Sequence, residues 1–168
     1  MSGTPATTLR GVVAEDLDVF FAHMQDAGAV WMAAFTAPDP TDRSAFDAHW
    51  NRILGDPTAL TRTIVTDGAV AGHIASFDML GDREITYWID RAVWGRGIAT
   101  AALRSFLVIE VTRPLHARAA ADNVGSLTVL ERCGFARTGT DRGFATARNA
   151  EIEEAVMRLD APQGRDRS

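Results

Sequence analysis

Trp94 to Thr100 reads W-G-R-G-I-A-T, with two glycines one residue apart at the junction between an apolar strand pattern and a helical one. Glycines so placed suit the binding of an anion. A side chain at Gly95 or Gly97 would block close approach of an oxygen, and glycine accepts the positive φ angles that a concave nest of amides needs. The unpaired N–H groups of the first helical turn and the positive end of the helix dipole then face the anion. Arg96 can add a charge-assisted contact at the rim. On the glycines alone, a tight strand-to-helix turn without a ligand fits as well.

Other side chains able to do chemistry are few. Glu84 opens the strand pattern E-I-T-Y-W-I-D, in which alternation sets Glu84, Thr86 and Trp88 on one face and Ile85, Tyr87 and Ile89 on the other. His73 and His116 fall on strand patterns and are secondary candidates for proton transfer, a packed or surface position being the better reading of each, and His23 and His49 fall on helical patterns at the N-terminal side. None has a metal-ligand spacing such as H-E-x-x-H, so no metal is expected. The lone cysteine, Cys133, excludes an intrachain disulfide and a cysteine cluster and reads as a small buried hydrophobe at a helix end. A nucleotide fold of the P-loop or Rossmann kind is not expected: there is no G-K-[ST], and no G-x-G-x-x-G with an acidic residue about 20 positions on.

The chain that must position these residues has the length of one compact domain, 1–168, and at 46% hydrophobic and 23% charged the composition of an ordinary globule. A net charge of −5 argues against nucleic acid as a partner. No apolar run approaches the roughly 18 to 20 residues that span a bilayer, so no membrane is expected. The opening M-S-G-T-P-A-T-T lacks the basic and apolar regions of a signal peptide, and with the single cysteine this points to the cytoplasm. Residues 1–7 and 161–168 have the composition of disordered ends.

Periodicity predicts a strand at Thr8–Val13 and a helix carrying Leu17, Phe20, Phe21 and Met24 that ends near Gly28. An apolar patch at Trp31–Phe35 follows, then a helix capped by Asp42 or Ser44 with Phe46, Trp50, Ile53 and Leu54 on one face. Strands at 61–66 and 69–77, joined by the Asp67-Gly68 turn, lead through Gly81-Asp82 to the strand at 84–90. After the glycine loop come a helix at Ile98–Val111, a strand at Leu115–Ala120 and a helix from Ser126 to Gly134. Strands at Phe135–Thr140 and Ile152–Leu159 close the chain. This order makes an α/β (α+β mixed) fold, a mixed sheet with helices on its faces.

The strand E-I-T-Y-W-I-D, the loop V-W-G-R-G-I-A-T-A-A-L and the segment A-D-N-V-G-S-L-T-V-L-E-R-C-G-F together resemble the GNAT N-acetyltransferase superfamily. The forms W-G-R-G-I-A and N-x-x-S-x-x-V-L-E-x-x-G-F look most like its RimJ/RimL-like branch of ribosomal-protein N-terminal alanine acetyltransferases. The match is tight over Asp82–Phe135 and follows element order elsewhere. It implies the GNAT fold: a central, mostly antiparallel twisted sheet of six to seven strands, helices on both faces, and a splay between strands four and five. It implies an acetyl-CoA-dependent N-acetyltransferase with no metal, moving the acetyl group directly from the CoA thioester to a primary amine. That amine is a protein N-terminal α-amine or a small molecule, and family members often form homodimers. The alternative is a catalytically inactive acyl-CoA-binding regulatory module.

Carried over by position, the resemblance lays the pyrophosphate on Trp94, Gly95, Arg96, Gly97, Ile98, Ala99 and Thr100, and the pantetheine arm along Trp88, Ile89 and Asp90. Asn123 matches an asparagine that hydrogen-bonds the cofactor arm, and also suits a turn or cap. Ser126 suits an N-cap, and its hydroxyl can reach the cofactor sulfur. Glu84 stands where several members place an acidic base; an exposed strand-edge carboxylate is the equal alternative. The acceptor wall falls to the two N-terminal helices and the loop at 31–42. Two departures stand out. Trp94 replaces the usual Gln or Arg of the loop motif, and Leu130 occupies the position of a tyrosine that in many members protonates the leaving thiolate. The only tyrosine in the chain is Tyr87. A thiol with pKa near 8.5 leaves well enough as an anion that such an acid is dispensable.

Overall fold

The computed structural model describes residues 6–162. Seven strands form one sheet in the order β1-β2-β3-β4-β5-β7-β6. They are β1 (Thr7–Arg10), β2 (Leu60–Thr66), β3 (Ala69–Met79), β4 (Asp82–Ile89), β5 (Leu115–Ala120), β6 (Ala136–Ala145) and β7 (Ala150–Leu159). Every neighbouring pair is antiparallel except β4 and β5, which run parallel. The helices are α1 (Ala14–His23), α2 (Ala27–Ala33), α3 (Arg43–Gly55), α4 (Ile98–Ile109) and α5 (Val124–Arg132). The mixed fold with helices around one sheet is the one expected. Among the described residues no helix is long and apolar enough to cross a membrane.

Alternation along the strands gives each sheet face its own helices. Ile74, Ile85, Ile89, Leu115, Ala117 and Met157 turn to the face covered by α4 and α5, where Ile98, Leu103, Phe106 and Leu130 complete the main core. The opposite face carries His73, whose ring lies 4.8 Å from that of Phe20 on α1 and 4.9 Å from that of Trp50 on α3. Leu130, at the position of the family tyrosine, is a core residue at 1% exposure. Phe135 and Trp50 are buried as well.

The N-terminal third departs most from the periodic reading. The first helix ends at His23, and the apolar stretch expected as a patch belongs to the separate helix α2. Asp26 is the cause: its carboxylate accepts the Ala29 N–H at 2.8 Å and starts a new helix, so that Gly28 sits inside α2 and terminates nothing. β1 is shorter than expected and includes Thr7, which pairs with Thr66. The other residues expected to be disordered, 1–5 and 163–168, lie outside the described residues; Ala161 and Pro162 follow β7 without regular structure. Asp42 caps α3 through the Ala45 N–H at 3.0 Å. β6 runs five residues past Thr140 because a bulge between Arg137 and Gly139 absorbs the register shift and lets pairing with β7 continue.

Candidate functional site

β4 and β5 pair only at Glu84↔His116 and Ile85↔Ala117. Beyond these residues β4 continues to Ile89 and β5 to Ala120 without pairing to each other, β5 being held along its other edge by β7. The divergence opens a cleft of ≈ 670 Å³. One wall is Tyr87, Trp88 and Ile89 of β4; another is Trp94 to Gly97 with the first turn of α4; the third is the start of α5; and α2 contributes Ala29, Met32 and Ala33. Gly72 makes the β4 geometry possible, since a Cβ there would stand 1.9 Å from the Trp88 carbonyl oxygen.

At the α4 end both glycines are left-handed, φ 80° at Gly95 and 76° at Gly97. A Cβ built at either position meets nothing within 4 Å, so the space in front of the loop is open. Gly97 is the N-cap of α4 and offers no side chain to its amides; the first helical hydrogen bond runs from the Ala101 N–H to the Gly97 carbonyl at 3.0 Å. The amides of Ile98, Ala99 and Thr100 thus precede the helix's own hydrogen-bond ladder and point out of its end. Trp94, in place of Gln or Arg, donates its indole N–H to the Ile89 carbonyl at 2.9 Å and fastens the loop to the end of β4.

The third wall departs from expectation in one respect. Ser126 neither opens nor caps α5; the helix starts at Val124, and Asn123 caps it by accepting the Ser126 N–H at 3.1 Å. The Asn123 amide nitrogen donates to the Met32 carbonyl at 3.4 Å, which ties α5 to α2. Further bonds fix α2 over the cleft. At its start Asp26 takes the Arg91 guanidinium at 3.1 Å. Near its end Arg148, only 8% exposed, donates to the Trp31 carbonyl at 3.0 Å, lies 5.1 Å over the Trp31 ring, and pairs with Asp122.

Of the residues singled out from the sequence, Trp88, Ile89, Trp94, Gly95, Gly97, Ile98, Ala99, Thr100, Asn123 and Ser126 line the cleft together. Three stand off its wall. Asp90 caps the short 3₁₀ turn at Arg91–Val93 through the Ala92 N–H at 3.0 Å and faces His23 at 3.6 Å. Arg96 is exposed at the loop's edge. Glu84, in the first of the two pairings before the strands part, gives its carboxylate to Arg118 at 3.3 Å, and Arg118 also binds Asp141 at 2.5 Å and Glu154 at 3.1 Å. His73 is held neutral, its pKa pulled down to about 3 by burial. Burial raises the Cys133 thiol, whose sulfur lies 3.8 Å from the Thr100 carbonyl, in keeping with a packed residue.

Several cleft residues, Asp122 and Arg132 among them, escaped the sequence reading, and Tyr87, named there only as the one tyrosine, is the one with a polar partner across the cleft. The Tyr87 hydroxyl lies 2.8 Å from the Ser126 Oγ and 3.3 Å from the Ser126 carbonyl, and burial pushes its pKa up to about 12. Alternation places Tyr87 on the α5 side of the sheet, yet no local signal joins it to a partner 39 residues away.

The model of the acetyltransferase (GNAT) domain family matches residues 7–136. The Bacillus subtilis (strain 168) protein named "Putative ribosomal N-acetyltransferase YdaF" is 30% identical over 139 residues, 77% of this chain and 75% of that protein. A solved N-acetyltransferase from Staphylococcus aureus Mu50 superposes with a TM-score of 0.78 at 19% identity, covering 92% of this chain and 98% of its own. Mycobacterium smegmatis RimJ, solved in complex with CoA-disulfide, does so with a TM-score of 0.76 at 21% identity, over 92% of this chain and 82% of its own.

Proposed function

The chain belongs to the acetyltransferase (GNAT) family, and from that premise we propose that it moves the acetyl group of acetyl-CoA to the α-amine of a protein or peptide. The observation that carries the reading is the cleft itself, open between β4 and β5 and closed at one end by the left-handed glycines and free amides of α4. The pyrophosphate lies on the amides of Gly95 to Thr100, with Arg96 and the cleft residue Arg132 as nearby cations. The pantetheine arm runs along Trp88 and Ile89 towards Ser126, whose hydroxyl meets the thioester sulfur. Asn123 acts on the cofactor arm by holding the turn into α5 and the edge of α2.

The acceptor class follows from the ionisable groups present. Among the described residues the cleft wall carries Tyr87, Asp122 and Arg132 but no histidine or glutamate, and Asp122 is taken by Arg148. A lysine side chain costs roughly 4 kcal/mol to deprotonate near pH 7.4, an α-amine under about 1 kcal/mol. A wall so poor in bases suits the α-amine. Glu84, on the sheet face of Trp88 and tied to Arg118, receives the remaining proton. The Bacillus subtilis relative's name points to ribosomal proteins as the source of such N-termini.

The test is thiol release from acetyl-CoA with a panel of amines, the products read by mass spectrometry: a peptide with a free N-terminus, the same peptide N-blocked with an internal lysine, and a polyamine. The free N-terminus should turn over fastest. The chain itself contains no lysine, so self-labelling of side-chain amines cannot blur the result. Tight CoA binding with no turnover on any amine would instead favour a regulatory acyl-CoA-binding module.

A further inference from the structure

The geometry points to Tyr87 as the positioning residue that aims the Ser126 hydroxyl at the sulfur of the departing CoA, doing from β4 what the chain cannot do from Leu130. This rests on the proposed acetyl-CoA chemistry of the same cleft. Leu130 is sealed in the core at 1% exposure and carries no polar atom, so α5 supplies no phenol at that position. The only phenol of the chain reaches the cleft from the opposite wall, with its hydroxyl 2.8 Å from the Ser126 Oγ.

Donor and acceptor follow from acidity and from what else is in reach. A phenol is a stronger hydrogen-bond donor than an aliphatic alcohol, and burial keeps this one protonated across the working pH range. Its single proton has two acceptors in reach, the Ser126 Oγ at 2.8 Å and the Ser126 carbonyl at 3.3 Å, and the shorter contact takes it, so that Tyr87 donates to the Ser126 Oγ. The serine keeps its own proton, which turns into the cleft. A hydroxyl that accepts one hydrogen bond becomes a better donor in the next, so the pair acts as a polarised chain ending at the sulfur.

In the transfer, the amine lone pair forms the N–C bond and the C–S bond breaks with its electron pair passing to sulfur. The surplus proton on nitrogen leaves to Glu84 and solvent. The thiolate accepts a hydrogen bond from the Ser126 O–H, both hydroxyl protons stay on oxygen, and CoA takes its proton from solvent on release.

The test is the titration of the CoA thiol while bound, followed by thiolate absorbance against pH, alongside steady-state kinetics of wild type, Tyr87→Phe, Ser126→Ala and the double variant. Wild type should hold the bound thiol below its free pKa. Tyr87→Phe should raise it by about one unit and lower kcat roughly tenfold, with KM for acetyl-CoA within about twofold. Ser126→Ala should abolish the shift, and the double variant should match it. Thermal melting checks the fold; if Tyr87→Phe does not fold, Ser126→Ala decides, since a bound thiol still shifted there means that Tyr87 does not act through the serine. A bound thiol that titrates alike in wild type and Tyr87→Phe overturns the inference while leaving the acetyltransferase reading intact. Absence of turnover in wild type overturns that reading without touching the titration, and absence of CoA binding overturns both.

Discussion

Gly97→Glu separates a phosphate cradle from a mere turn. Gly97 sits at φ 76° with open space where its side chain would be, so the substitution meets no protein atom and its effects divide into two parts. The first is conformational: a non-glycine residue in the left-handed region costs about 1–2 kcal/mol. At about 2–4 °C per kcal/mol for a chain of this size, that is a melting shift of about 2–8 °C. The second falls on the ligand. The new carboxylate occupies the mouth of the amide nest, and losing two charge-assisted bonds at about 1.5–3 kcal/mol each removes about 3 kcal/mol or more, roughly a hundredfold or more in Kd. Gly68→Glu is the control: its φ is 80°, it too meets nothing within 4 Å, and it lies in the β2–β3 turn, off the cleft wall. Calorimetric titration with CoA and thermal melting of both variants should show equal destabilisation but loss of affinity only at Gly97. CoA binding by Gly97→Glu within about threefold of wild type would refute the placement of the pyrophosphate.

Three further outcomes are expected. Glu84→Gln should lower turnover roughly tenfold, less than the usual about 10²–10⁴ of base catalysis because an α-amine is already largely neutral, and should move the pH–rate profile upward with CoA affinity unchanged; an unaltered profile removes Glu84 from the reaction. Arg148→Ala, which loses the Asp122 pair, the Trp31 ring and the Trp31 carbonyl together, should cost about 1–3 kcal/mol and raise acceptor KM without changing the Kd of CoA. His73 is protonated more readily in the unfolded chain, where its pKa is near 6.5, than in the fold, where it is about 3. The unfolding free energy should therefore be full above pH 6.5 and fall below it by about 1.4 kcal/mol per pH unit, with His23 and His49, lowered by burial, adding in the same sense. His73→Phe, which keeps a ring between Phe20 and Trp50, should remove about one proton from that slope in denaturant titrations at pH 5 and 7.

What was legible in the sequence is what short stretches of chain determine by themselves. The glycine loop needs only Gly95, Gly97 and the amides that follow, all within one turn, so its residue types announce its dihedrals, while the anion it suits is named only through the resemblance. The β2–β3–β4 meander was readable from Asp67-Gly68 and Gly81-Asp82 because those turns set the register of the strands they join. The start of α5 was misread because Asn123 and Ser126 are both good caps, and only the observed 3.1 Å bond between them says which residue holds which. Helix α2 was missed for a related reason: Gly28 looks like a terminator until the Asp26 cap and the guanidinium of Arg91 are seen beside it.

The same distinction explains why the donor can be named and the acceptor only classed. The donor end of the cleft is built from β4, the loop and the first turn of α4, contiguous from Tyr87 to Thr100. The α2 wall, proposed above to face the acceptor, is instead anchored by residues far apart in the chain: Asn123 reaches Met32 across 91 positions and Arg148 reaches Trp31 across 117. A loop that cradles phosphate has few chemical solutions, whereas a wall fixed by such cross-links can change its lining side chains while its anchors stay. Specificity should therefore reside in the α2 residues that face the cleft, Ala29, Met32 and Ala33. Substituting Met32 with a smaller residue should redistribute rates across a peptide N-terminus panel while leaving CoA affinity and melting temperature nearly unchanged. A uniform loss across the panel would mean that α2 only closes the cleft and that the choice of acceptor is made elsewhere.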